Sequence, residues 1–246
     1  MFEYQAPPEL LKDKIILVTG AGSGIGRAAA LSYAAHGATV ILLGRTLEKL
    51  EAVYDEIEAA GFPQPALVPM NLDSAPEHDF DELAAKLEEE FGRLDGILHN
   101  ASILGVRTPL SSYDPTIWQQ VLQVNLTAPF MLTQAVMPLL EKAEHASIIF
   151  TSSGVGRQGR AFWGAYSVSK FATEGMMQIL ADELGNISQT RCNCINPGAT
   201  RTQMRTTAYP AENPNDNPAP EEIMPVYLYL MGDDSLQVNG QSLNAQ

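Results

Sequence analysis

One segment near the N-terminus limits the fold more than any other. The apolar run Lys14-Ile15-Ile16-Leu17-Val18 passes straight into Thr19-Gly20-Ala21-Gly22-Ser23-Gly24-Ile25-Gly26, and a helical stretch follows to Gly37. Glycine lets a backbone turn tightly and pass close to another group. A strand, a glycine turn and a helix together expose backbone N–H groups at the positive end of the helix, where an anion such as a pyrophosphate binds. Glycine spacing alone is weak evidence, and a tight turn with no ligand is the plainer reading. The flanking strand and helix supply the context that favours a dinucleotide.

Further short apolar runs alternate with amphipathic stretches. Strands are expected at ATVILLG, PALVPM, LDGILHN, ASIIFTSS, RCNCIN and, last, GQSLNA. Helices are expected at TLEKLEAVYDEIEAAG, DFDELAAKLEEEFG, a long stretch from Asp114 to Glu141, GAYSVSKFATEGMMQILADELG, and EIMPVYLYLMG near Pro225. Strand–helix alternation predicts an α/β fold, a doubly wound parallel sheet of Rossmann type with helices on both faces. Residues 1–246 read as a single domain. The Pro- and Asn-rich stretch at 206–220, taken with the residues just before it, is expected either as a substrate lid over about 203–220 or as a surface excursion.

The chain carries 15 basic and 29 acidic residues, a net charge of −14. Such a surface repels phosphates and anionic lipid heads, so neither nucleic acid nor membrane is an expected partner. No apolar run approaches the roughly 20 residues of a membrane span. The first residues, MFEYQAPPELLKDK, lack a signal-peptide pattern, so a cytoplasmic location is expected. Cys192 and Cys194 stand i,i+2 on a strand, too far apart for an easy disulfide, and read as small core residues. No metal site is expected.

Tyr166 and Lys170 are i,i+4 on a helix and share a face. One cation about 4 Å from a phenol is worth roughly 4 kcal/mol at an effective dielectric of 20. That lowers the phenol by about three units and makes it a usable acid/base. Ser153, at the end of a strand, can donate to a substrate oxygen; Ser152 points the other way and is the lesser candidate. At the end of the second strand the chain reads Leu43-Gly44-Arg45-Thr46, with no carboxylate to repel a 2′-phosphate. Arg45 can grip that phosphate and stack on adenine, or merely pair with Glu48 or another acid. Thr46 can cap the next helix. NADP(H) is therefore favoured over NAD(H).

The T-G-x-x-x-G-x-G order, His99-Asn100-Ala101-Ser102, the Asn125 region, Ser152-Ser153 followed by Y-x-x-x-K, and Asn196-Pro197-Gly198 together resemble the short-chain dehydrogenase/reductase family along the whole chain. GRQGRAFWGAYSVSKFATEGMMQ and NPGATRTQMR look like its YciK-type subgroup of bacterial oxidoreductases. The resemblance implies hydride transfer between nicotinamide and a carbonyl or alcohol carbon of a small molecule, with Asn125, Ser153, Tyr166 and Lys170 as catalytic residues. It implies that Lys170 binds the nicotinamide ribose, and that Asn125 holds a helix backbone and a water linking Lys170 to solvent. It also implies cofactor contacts from Thr19, Gly20, Gly22, Ser23, Gly24, Ile25 and Gly26. Asn71 and Leu72 lie where relatives meet adenine, although Asn71 replaces a frequent Asp. Asn100 and Ala101 match the family, and Ser102 replaces its usual Gly. Pro197, Gly198, Thr200 and Thr202 would hold the nicotinamide amide or phosphate. A homodimer or homotetramer, built on the Tyr-bearing helix, is likewise implied.

Arg107, Arg157, Arg160, Arg201 and Arg205 follow strands four, five and six, whose carboxyl ends face the ligand crevice of such a sheet. Arg157 and Arg205 are therefore expected at the substrate, which would carry a carboxylate, phosphate or acyl-carrier group. The alternative is that these arginines bind surface acids, backbone carbonyls or a neighbouring subunit. Phe162 and Trp163 would line an apolar wall or pack at a subunit contact. A catalytically quiet NADP-binding sensor on the same fold is the alternative function.

Overall fold

The computed structural model describes residues 1–185 and 187–246. Its strands are β1 (Ile15–Thr19), β2 (Thr39–Gly44), β3 (Ala66–Pro69), β4 (Gly96–His99), β5 (Ser147–Thr151), β6 (Arg191–Asn196) and β7 (Ser242–Asn244). They form one seven-stranded sheet in the order β3-β2-β1-β4-β5-β6-β7, with every neighbouring pair parallel. The helices are α1 (Gly24–Ala35), α2 (Leu47–Ala59), α3 (Glu77–Phe91), α4 (Pro115–Leu122), α5 (Ala128–Leu140), α6 (Gly164–Leu184), α7 (Gln203–Ala208) and α8 (Met224–Met231).

Alternate strand residues face opposite sides of the sheet, so a sheet covered on both faces needs two cores. Ile16, Val18, Val40 and Leu42 pack with Tyr33 of α1 and with Val226 and Leu230 of α8. Leu17, Ile41, Ile97, Ile148 and Phe150 pack on the other face with Phe80 of α3, Leu132 of α5 and Met177 of α6. Cys192 and Cys194 are both free and buried in this second core, as their spacing predicts. The chain winds outward from β1 to β3 and then crosses to β4 on the other side. The gap between the carboxyl ends of β1 and β4 is thus the switch point where ligands bind in sheets of this kind.

The sequence pattern differs from the structure in three places. The single helix expected from Asp114 to Glu141 is two helices, α4 and α5, joined by a π-helical turn at Gln123–Thr127. One residue added to a helical turn leaves the apolar periodicity almost unchanged, so the pattern hides it. The loop expected over 206–220 carries the end of α7 and two 3-10 turns, at Pro214–Asp216 and from Pro220. Thr46 does occupy the N-cap of α2, yet its hydroxyl makes no capping bond among the described residues.

Candidate active site

The turn after β1 is tied to the end of β4 by a buried hydroxyl. Thr19 Oγ1 accepts from the Asn100 and Ala101 amides at 3.0 Å each and donates to the Leu98 carbonyl at 3.3 Å. The first turn of α1 crosses this loop so closely that a Cβ on Gly26 would overlap the Gly20 carbonyl oxygen and the Asn100 amide. Gly20 itself has φ +70°, a backbone that side chains resist. Ser23 caps α1 in extended conformation, with no side-chain cap bond among the described residues. The result is a helix N-terminus with bare amides, open to the switch point.

Two cavities meet there and share Gly20, Ser23, Ala101 and Ser102. The first runs over the end of β2 and is lined by Gly22, Arg45, Thr46, Lys49, Asn71 and Leu72. Asp73 also lines it, but its carboxylate accepts from Gln120 Nε2 at 2.7 Å. Asn71 uses its amide oxygen on the Asp73 N–H and its amide nitrogen on Ser74. Lys49 was not expected at this place. The signal was available, since it lies in the first turn of the helix that Arg45 and Thr46 lead into. The glycine cradle that a Cβ would fill, the bare helix terminus and the two cations fit a dinucleotide bearing an extra phosphate.

The second cavity runs over β4, β5 and β6. It is lined by Gly24, Ile25, Asn100, Ser153, Tyr166 and Lys170, and by Pro197, Gly198, Thr200 and Thr202 from the loop after β6. Tyr166 and Lys170 lie in the first two turns of α6, both buried. Lys170 Nζ donates to the Thr151 carbonyl at 2.7 Å and lies 5.6 Å from the centre of the Tyr166 ring. Ser153 opens a short 3-10 turn, and Ser152 Oγ is spent on the buried Glu174 carboxylate at 2.5 Å. Of the two serines, Ser153 has the hydroxyl beside Tyr166.

The electrostatics reverse one expectation. Burial pushes the Tyr166 phenol up to about 12, and the nearby Ser153 hydroxyl draws it back only in part. Burial also brings the Lys170 ammonium down from 10.5 to about 8. The helical spacing correctly puts the two residues on one face, but burial, and not the ammonium, sets the direction of the phenol's shift.

Other expected residues fall elsewhere. Asn125 sits in the π turn; its amide oxygen accepts from the Ile103 N–H at 2.8 Å, and its nitrogen donates to the Ile103 carbonyl and Ser169. It clamps the backbone after β4 and does not line the cavity. Arg157, expected at the substrate, is turned to β7, where it bonds Ser242 and Asn244 and pairs with Glu174 at 3.3 Å. Arg205 does line the cavity, with its guanidinium paired to Glu212 at 2.6 Å. Arg201 donates to Asn215, Arg107 to the Ala208 carbonyl, and Arg160 is exposed outside the lining. Trp163 forms part of the wall, while Phe162 is exposed with φ 72°.

The comparisons with known proteins agree with this geometry. The sequence pattern of the family described as short chain dehydrogenase matches residues 14–213. The chain is 54% identical over 243 residues to the uncharacterized oxidoreductase YciK of Escherichia coli K12, covering 99% of this chain and 96% of that one. A structure described as a short chain dehydrogenase from Pseudomonas syringae has a TM-score of 0.99 and 63% identity, covering 100% of both chains. A short chain dehydrogenase from Escherichia coli CFT073, complexed with NADPH, has a TM-score of 0.95 and 54% identity over 98% of this chain and 100% of that one. With an oxidoreductase among its relatives and a matching glycine cradle and Tyr166–Lys170 pair of its own, the chain belongs to the short chain dehydrogenase family.

Proposed function

We propose that this oxidoreductase uses NADP(H) to move a hydride between nicotinamide and a carbonyl or alcohol carbon of a small molecule. The observation that carries the reading is the continuity of the cleft. Its first half holds Arg45 and Lys49 with no carboxylate at the end of β2, and its second half holds Ser153, Tyr166 and Lys170. The NADPH complex of a relative supports the choice of cofactor. NADPH, when bound, supplies the hydride.

The chain's own residues do the rest. The amides opening α1 and the Ser23 hydroxyl receive the pyrophosphate. Arg45 and Lys49 receive the extra phosphate, and Asn71 and Leu72 flank the adenine. Pro197, Gly198, Thr200 and Thr202 hold the nicotinamide end. Ser153 donates to the substrate oxygen as charge gathers there. Tyr166, held protonated by its burial, gives its proton to that oxygen during reduction. Lys170 binds the ribose, and Asn125 keeps the loop after β4 and α6 in register around it. The stretch over 203–220 serves as the lid. The two free cysteines suit a reducing, cytoplasmic compartment.

Phe130 on α5 and Val168, Phe171 and Ile179 on α6 are exposed apolar side chains, the last to 60%. This face is assigned to a second copy of the chain, giving a homodimer or homotetramer.

The test is Tyr166→Phe, assayed with NADPH against a panel of aldehydes, ketones and 3-oxoacyl compounds and titrated with NADPH in parallel. Turnover should fall by at least about 100-fold, the scale of general acid catalysis, with NADPH affinity retained. Unchanged turnover would instead favour the quiet NADP-binding sensor.

A further inference from the structure

We infer that the substrate chamber is built for a neutral, apolar carbonyl compound, and that its rim arginines form a latch and not an anion receptor. The inference rests on the hydride-transfer reading above and names the substrate class for that same site.

Beyond Ser153 and Tyr166 the chamber wall is Leu104, Trp163, Met204 and Ala208, with Gln203 and Arg205 as its polar members. The cations near it are already satisfied by the protein. One edge of the Arg205 guanidinium is engaged by Glu212, Nε to Oε2 and Nη2 to Oε1 at 2.6 Å each, and Asn217 Nδ2 adds a third bond to Glu212 at 3.1 Å. The pairing holds Arg205 charged and Glu212 ionised, shifting one up and the other down from their ordinary values. Its net charge is zero. Arg205 also lies 3.9 Å over the Tyr209 ring. The Arg107 guanidinium sits 5.0 Å from the same Tyr209 ring and 4.9 Å from the Trp163 ring, and it donates to the Ala208 carbonyl.

These contacts join three separate segments: the loop after β4, the start of α6, and α7 with the residues beyond it. Their alternation of guanidinium and aromatic ring fastens the 203–220 stretch across the chamber mouth. Arg157 and Arg201, the other two candidates with recorded partners, are bonded away from the wall. Lys170 is bonded to the Thr151 carbonyl. A carboxylate entering the chamber would lose its hydration and find each of these cations already engaged, which disfavours it strongly. A neutral carbonyl needs only the Ser153 and Tyr166 hydroxyls at its oxygen and an apolar wall for its body. The protein's charge of −14 acts in the same direction on approach.

The experiment compares matched pairs that differ by one negative charge, using the full chain with NADPH. The pairs are benzaldehyde and 4-carboxybenzaldehyde, methyl 3-oxobutanoate and 3-oxobutanoate, and the methyl ester and free acid of 4-oxocyclohexanecarboxylic acid. The neutral member of each pair should show kcat/KM higher by about tenfold or more, the scale of leaving a charged group without a partner. Glu212→Gln frees the Arg205 charge and should narrow that ratio several-fold by improving the anionic member. Equal or better turnover of the anionic members would overturn the inference, as would a ratio unmoved in Glu212→Gln. No turnover of any pair with NADPH still bound would also overturn it while leaving the nicotinamide reading in place. Failure to bind NADPH would strike that reading instead.

Discussion

Lys170 Nζ lies 5.6 Å from the centre of the Tyr166 ring, with its hydrogen bond directed to the Thr151 carbonyl. The two groups titrate in separate ranges: burial lowers the ammonium to about 8 and raises the phenol to about 12. Tyr166 therefore stays a proton donor throughout the neutral range, as reduction requires. The first group to change charge on raising the pH is Lys170. Its protonated form dominates below about 8, and a neutral amine replaces it above. The value of kcat/KM for NADPH, which reports the free enzyme, should fall on the alkaline side with an apparent pKa near 8. Lys170→Arg keeps the charge and should remove that limb even if its plateau is lower. A wild-type profile flat to about pH 10 would contradict the assignment of Lys170 as the titrating group.

Arg45 and Lys49 line the cleft at the end of β2, where a 2′-phosphate would lie. A charge-assisted bond is worth about 1.5–3 kcal/mol. Arg45→Ala should then raise KM for NADPH by roughly 10- to 100-fold and leave KM for NADH nearly unchanged. Steady-state kinetics with both cofactors decide this, and parallel losses for the two would mean that Arg45 does not read the phosphate.

Gly26 is the tightest point of the glycine turn. A methyl group there would overlap the Gly20 carbonyl oxygen and the Asn100 side chain, and the first of these is backbone. Overpacking of this sort costs about 1–3 kcal/mol. For a chain of this size that is a fall in Tm of roughly 2–12 °C. Gly26→Ala should show that fall together with weakened NADPH binding, both read by thermal melts with and without cofactor. A variant with unchanged Tm and affinity would mean the turn is more pliable than the close approach implies.

What could be read from the sequence divides along physical lines. The glycine turn and the Tyr166–Lys170 pairing are local: strand, turn and helix geometry fix them within a few residues, and the structure has both as expected. Arg157 is a different case. Its partners Ser242, Leu243 and Asn244 lie 85–87 residues later and reach it only because β7 pairs with β6. Nothing near Arg157 in the chain signals that. The π turn around Asn125 is invisible to helical periodicity for the reason that it adds a single residue. The phenol expectation failed on a quantity that spacing does not carry. Proximity to a cation follows from i,i+4, whereas the depth of burial that raises Tyr166 depends on Trp163, α7 and the β6 loop closing around it.

His99 ends β4 in the core, its ring stacked on Phe150 at a centroid distance of 4.7 Å. Its Nε2 is 2.8 Å from Thr133 Oγ1, and that hydroxyl donates its own hydrogen to the Pro129 carbonyl at 2.7 Å. The imidazole must then be the donor to Thr133, so Nε2 carries the proton and the neutral ring is satisfied on that side. Nδ1 is buried without a partner among the described residues, which leaves a second proton nothing to bind. Burial accordingly lowers the group from 6.5 to about 3. Between those values the unfolded chain takes up a proton that the folded chain refuses. Stability is therefore full above about 6.5 and is lost progressively as the pH falls toward 3. The loss approaches about 1.4 kcal/mol per pH unit from this one residue. Carboxylates titrate in the same region, so the readout is a difference: urea midpoints of the wild type and His99→Gln, measured from about pH 7 to pH 4.5. The wild-type curve should fall more steeply than that of the variant, whatever their offset at neutral pH. Parallel curves would mean that the buried imidazole gains a proton as readily folded as unfolded, and that water or a shift of Thr133 reaches Nδ1.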